Sequence, residues 1–125
     1  MTTEQPLILV ADDDADIVTL VRIRLEAAGF RVVTAGNGAR AVDAARSERP
    51  SLAILDAMMP GLDGYGVLAA LRADPELAAM PVVMLSAHVH ADDVGRGLEA
   101  GADEYLAKPF RADRLLEVVR GLLAR

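Results

Sequence analysis

Four short apolar runs in this chain stop at groups able to act on phosphate. Leu7 to Ala11 runs into Asp12, Asp13 and Asp14, Leu52 to Leu55 runs into Asp56, Met80 to Leu85 stops at Ser86, and the run around Tyr105 and Leu106 stops at Lys108-Pro109. Apolar runs of this length bounded by turn residues read as buried strands. In an open α/β sheet ligands bind outside the carboxyl ends of the strands, so carboxylates, a hydroxyl and an amine would meet along one edge. Carboxylates suit a hard divalent cation, while a hydroxyl and an ammonium suit phosphate oxygens, which together is phosphoryl chemistry. Asp56 is the centre of the set, and Pro60, Gly61 and Gly64 turn the chain away from its strand. Asp alone is an ordinary turn initiator. The repetition at several strand ends is what gives the pattern weight.

The intervening segments have helical spacing. Ile17, Leu20, Val21, Leu25 and Ala28 predict a first helix with Asp14 and Asp16 at its start and Gly29 past its end. Phe30 to Ala35 is a further strand, and Asn37-Gly38 leads into a short helix through Ala41, Val42 and Ala45 that Pro50 closes. Val67, Leu68 and Leu71 predict a third helix, ending near Asp74-Pro75. Residues Asp92 to Ala100 are the fourth candidate, weakened by Gly95 and Gly97 at about 1 kcal/mol each relative to Ala. Leu115, Leu116, Val119, Leu122 and Leu123 form the stripe of a fifth. Strands alternating with helices in this way predict an α/β fold, a doubly wound parallel sheet with helices on both faces, because parallel strands need right-handed crossovers. Strand order does not follow from periodicity.

Composition limits the rest. With 13 basic and 19 acidic residues in 125 the net charge is -6, which disfavours a surface that neutralises nucleic-acid phosphates. There is no Cys, so disulfides and thiolate metal sites are excluded. The start of the chain has no basic segment followed by an apolar one, and no run is long enough for a bilayer. A cytoplasmic single domain without membrane contact is expected.

Taken together, Asp12-Asp13, the segment from Asp56 through Met58, Pro60 and Asp63-Gly64, Ser86-Ala87, and Gly101-Ala102-Asp103-Glu104-Tyr105-Leu106-Ala107-Lys108-Pro109-Phe110 resemble the receiver domains of two-component response regulators, including single-domain chemotaxis regulators. The resemblance covers nearly the whole chain, so residues 1-125 are expected to be one receiver domain, with no output domain visible. It implies a flavodoxin-like (βα)5 three-layer sandwich with strand order 2-1-3-4-5. It further implies Asp56 as the phosphoacceptor, taking a phosphoryl group from a phosphohistidine. Asp12 and Asp13 match the acidic pair that holds Mg²⁺, with Mn²⁺ a possible substitute, and the backbone carbonyl of Met58 matches a further ligand. Lys108 and Ser86 would contact phosphate oxygens. Pro109 matches a position that is often cis. Ser86 and Tyr105 match a coupled pair that carries the signal to the face of helix four, strand five and helix five. His88 lies where the family lines the path of the attacking water and would tune phosphate lifetime.

The implied partners are a sensor histidine kinase or phosphotransfer protein and a downstream protein target. The chain would be a monomer or a phosphorylation-dependent dimer. No enzymatic turnover is expected beyond self-catalysed phosphotransfer and autodephosphorylation. Two other readings are possible. Asp14-Ala15-Asp16-Ile17-Val18 matches the Asp-x-Asp-x-Val pattern of haloacid-dehalogenase-type phosphatases, but it falls inside the first helix and leaves Asp12 and Asp56 without a role. A pseudo-receiver, an interaction module indifferent to phosphate, would not need the set Asp12, Asp13, Asp56, Ser86 and Lys108.

Overall fold

The computed structural model describes residues 5–87 and 101–125. Five strands, β1 (Leu7–Ala11), β2 (Arg31–Ala35), β3 (Leu52–Asp56), β4 (Val82–Ser86) and β5 (Glu104–Ala107), form one parallel sheet in the order β2-β1-β3-β4-β5. Four helices are described: α1 (Ala15–Ala27), α2 (Gly38–Glu48), α3 (Gly64–Ala73) and α4 (Ala112–Leu123). This is the expected flavodoxin-like sandwich. The expected helix over 92–100, with Gly95 and Gly97, lies outside the described residues, as do His88 and His90.

Alternation along the strands sorts side chains into two cores. Ile8, Val10, Leu52, Ile54, Val83 and Leu85 point to the layer of α1 and α4, whereas Leu9, Ala11, Ala53, Leu55, Val82 and Met84 point to α2 and α3. The central strands β3 and β4 are buried at every residue, and the edge strands β2 and β5 are not, which follows from cover on both faces at the centre only.

Helix boundaries follow local chemistry. Asp14 caps α1 by accepting from the Asp16 and Ile17 amides, so it is a helix-start residue. Asn37 caps α2 through the Arg40 amide and Asp63 caps α3 through the Gly66 amide. The expected stripe of α1 needs one correction, because Leu20 is 48% exposed. Val21 and Leu25 are buried against the sheet with Ile17 half-buried beside them, and Leu20 falls about 100° round the helix from Val21. In α4, Val118 joins the buried face, and Leu116 and Leu123 sit at its margin.

Candidate functional site

β1 leaves the sheet toward the α1 face and β3 leaves it toward the α3 face, so a crevice opens between their carboxyl ends. A switch point of this kind is where open α/β sheets bind ligands. Asp12 follows β1 directly and Asp56 is the last residue of β3, and both are buried, while Asp13 is exposed. One ligand oxygen from each of Asp12, Asp13 and Asp56 can be chosen so that all lie within 4.8 Å of one another. That spread fits the coordination sphere of a hard cation with oxygen ligands, for which metal-to-oxygen distances are about 2.0–2.6 Å.

Lys108 enters from the end of β5. Its Nζ lies 2.8 Å from Asp12 Oδ2 and 3.3 Å from Asp56 Oδ1. The backbone fixes that approach, because the Lys108 amide donates to the Ser86 carbonyl at 2.7 Å and carries the β4–β5 pairing one step past the strand. The Lys108-Pro109 peptide bond is cis, as the resemblance implied. Ser86 is buried at the end of β4, beside Ala107 in register.

The charges act on one another. Burial, and after it the charge of Asp12, pushes the Asp56 carboxyl up to about 6 against the opposing effects of Lys108 and the Met58 amide. Burial draws the Lys108 ammonium down, but its hydrogen bond to Asp12 and the charges of Asp56 and Asp12 outweigh this and hold it above its ordinary value. The carboxylates therefore do not face one another uncompensated, since one cation already sits among them.

The loop from β3 to α3 closes the site on its other side. Met58 is exposed and Met59 buried, and the Met58 amide donates to Asp56 Oδ1 at 3.4 Å. The Gly64 amide donates to the Ala57 carbonyl at 3.1 Å, and a Cβ on Gly64 would lie 2.9 Å from Ala57 Cα and from the Asp56 carbonyl carbon. Only glycine permits that approach. A cleft of about 310 Å³ opens beside Asp12 and Asp13 and is lined also by Thr19, Arg22 and Thr34.

Tyr105 is half-buried on β5, and its hydroxyl lies 3.3 Å from the hydroxyl of Tyr65 on α3. Tyr65 carried no signal in the sequence, because a single aromatic residue at a helix start has no periodic partner. The ion pair of Lys108 with Asp12 was also missed, since it joins residues 96 positions apart.

The sequence pattern of the response regulator receiver domain matches residues 8–120. The chain is 43% identical over all its 125 residues to the DNA-binding response regulator MtrA of Mycobacterium tuberculosis, covering 54% of that protein. It is likewise 43% identical to the probable transcriptional regulator ycf27 of Porphyra purpurea, covering 50% of it. The chain thus spans about half the length of these relatives. Among solved structures it superposes on a putative response regulator from Chloroflexus aurantiacus with a TM-score of 0.93 at 34% identity, over 98% of this chain and 100% of that one. The receiver domain of the sensor histidine kinase PA1611 from Pseudomonas aeruginosa, solved with magnesium coordinated in its active-site cleft, gives 0.90 at 29% identity over 98% and 100%. The chain belongs to the response regulator receiver domain family, whose members act as phosphorylation-dependent signalling modules.

Proposed function

We propose that this receiver domain takes a phosphoryl group onto Asp56 from the phosphohistidine of a sensor histidine kinase or phosphotransfer protein, with Mg²⁺ bound by Asp12, Asp13, Asp56 and the Met58 carbonyl. The observation that carries the reading is the position of Lys108 Nζ between Asp12 and Asp56, 2.8 and 3.3 Å away, at the switch point of the sheet. An Asp56 oxygen attacks phosphorus, the phosphorus–nitrogen bond breaks, and the bond pair leaves on the imidazole. Lys108 would follow the incoming oxygens, and the Ser86 hydroxyl would donate to one of them. Such transfer asks the protein mainly for positioning and charge stabilisation. Mg²⁺, when bound, neutralises charge on the phosphoryl oxygens during approach.

The magnesium in the cleft of the PA1611 receiver supports the choice of cation, and Mn²⁺ with the same oxygen preference would substitute. Hydrolysis of the acyl phosphate would end the signal without other enzymatic activity. The signal would leave by the face of residues 92–100, β5 and α4, with Ser86 and Tyr105 as moving parts, toward a protein target in the cytoplasm. Lys108→Ala is expected to retain phosphate yet fail to alter that face.

The mycobacterial relatives are DNA-binding response regulators, but the likeness spans half of them. The net charge of -6 disfavours a surface that neutralises nucleic-acid phosphates on these 125 residues.

Incubation with Mg²⁺ and acetyl phosphate tests the reading. A receiver gains one phosphoryl group, a phosphatase turns over phosphomonoesters, and a pseudo-receiver does neither.

A further inference from the structure

We infer that Gly38 is a positioning residue for the metal site, and that the missing side chain at the first residue of α2 sets the preference for Mg²⁺ over larger cations. Gly38 is buried and follows the cap residue Asn37. A Cβ on Gly38 would meet the Leu62 carbonyl oxygen inside any permitted distance, and would lie 2.8 Å from the Leu62 carbonyl carbon and 2.9 Å from its Cβ. Those atoms are backbone or fixed by it, so no rotamer relieves the contact. Leu62 would have to retreat by roughly 1 Å to restore van der Waals separation.

Leu62 cannot retreat alone. It precedes Asp63, whose carboxylate holds α3 through the Gly66 amide, and α3 is seated at Gly64 against the backbone of Asp56 and Ala57. The displacement therefore passes into residues 57–61. That stretch carries Met58, whose amide contacts Asp56 Oδ1 and whose carbonyl is the proposed ligand. The inference rests on that reading of the metal site.

Selectivity follows from coordination chemistry. Mg²⁺ demands near-ideal octahedral oxygens at about 2.0–2.1 Å, whereas Ca²⁺ accepts irregular sets at about 2.3–2.6 Å. A loop pushed outward should lose Mg²⁺ first. Outer residues that orient metal ligands typically change affinity by about 10- to 100-fold.

Gly66 supplies the comparison. A Cβ there meets the Leu62 side-chain tip, with Cγ at 3.2 Å, and that tip can turn away. Titration calorimetry with Mg²⁺ and with Ca²⁺ on wild type, Gly38→Ala, Gly66→Ala and Asp13→Asn tests the proposal. Gly38→Ala should weaken Mg²⁺ about tenfold or more and Ca²⁺ by less, with circular dichroism unchanged, and Gly66→Ala should keep the wild-type ratio. If Asp13→Asn loses Mg²⁺ while Gly38→Ala keeps the ratio, or if Gly66→Ala shifts it equally, the role of Gly38 is overturned and the metal site stands. If Asp13→Asn binds Mg²⁺ as wild type does, the metal reading itself fails and this inference with it. Should Gly38→Ala not fold, nuclear magnetic resonance of the wild type decides. The Gly38 and Leu62 amides should shift with the Mg²⁺ binding curve, and unmoved amides contradict the proposal.

Discussion

Lys108 Nζ lies 2.8 Å from Asp12 Oδ2, so the acidic cluster carries its own counterion. The Lys108 side chain is 16% exposed and that of Asp12 1%, which makes the pair largely desolvated. Removing one partner of a buried pair typically costs about 3–5 kcal/mol, and the partial exposure of Lys108 places this case at or below the low end. Lys108→Ala should therefore unfold at lower urea in the absence of metal, and Mg²⁺ should stabilise it more than it stabilises wild type. Equal metal-free stability of the two proteins would remove the pair from the account.

The two acids after β1 should respond differently to the same change. Asp13 is exposed and bonded to no cation among the described residues, so Asp13→Asn should alter metal-free stability by less than about 1 kcal/mol, on the stabilising side, and weaken the Mg²⁺ response. Asp12→Asn removes the charge that faces Lys108 and weakens the acceptor of the Asp14 amide. It should destabilise. Thermal melts of both variants with and without Mg²⁺ check the contrast, and a marked fall in melting temperature for Asp13→Asn would contradict it.

Asp56 gives the site a pH dependence. Its carboxyl is raised to about 6 in the folded protein, so the native state binds a proton that the unfolded chain releases from about 3.8 upward. The stability this group contributes is complete below that lower value and is lost as pH rises through about 6. Metal bound as proposed would reverse the sense, because Mg²⁺ would compete with the proton for the carboxylate. Apparent Mg²⁺ affinity should fall as pH drops below about 6 and level off above it. Titration of Asp56→Asn should lack that step, and a persisting step would assign it to another group.

The strands and their polar ends were legible because a covered parallel strand is a continuous apolar run and its end is abrupt. β1 fell where its residues implied, and Asp12, Asp56, Ser86 and Lys108 meet at one sheet edge as their positions after the strands required. Contacts between segments were not legible. Gly38 read as part of a turn signal before α2, although the space it leaves belongs to Leu62. Leu20 matched helical spacing equally well with Val21, and only the sheet decides which of them is buried. Tyr65 meets Tyr105 across 40 positions, a pairing no local pattern encodes.

That pairing yields a prediction about the switch. The chain has two tyrosines, and their hydroxyls are 3.3 Å apart, so ring-labelled tyrosine gives two sets of signals. Beryllofluoride with Mg²⁺ mimics the phosphoryl oxygens, and if Tyr105 moves on binding, both tyrosines should change together. Tyr65→Phe removes the contact and keeps the ring, so Tyr105 should move at lower ligand occupancy and apparent affinity should rise by a few-fold. Tyr105 signals that stay fixed while Asp56 binds the ligand would place the exit of the signal elsewhere.

Everything proposed for this site depends on Asp56 accepting phosphate with metal held by its acidic neighbours. Intact-protein mass spectrometry after incubation with acetyl phosphate tests it most directly, with Mg²⁺ or with excess chelator, on wild type and Asp56→Asn. One phosphoryl group per chain is expected in wild type with Mg²⁺, and none with chelator or in Asp56→Asn of native-like circular dichroism. Full phosphorylation of Asp56→Asn, or none of folded wild type with Mg²⁺, would contradict it.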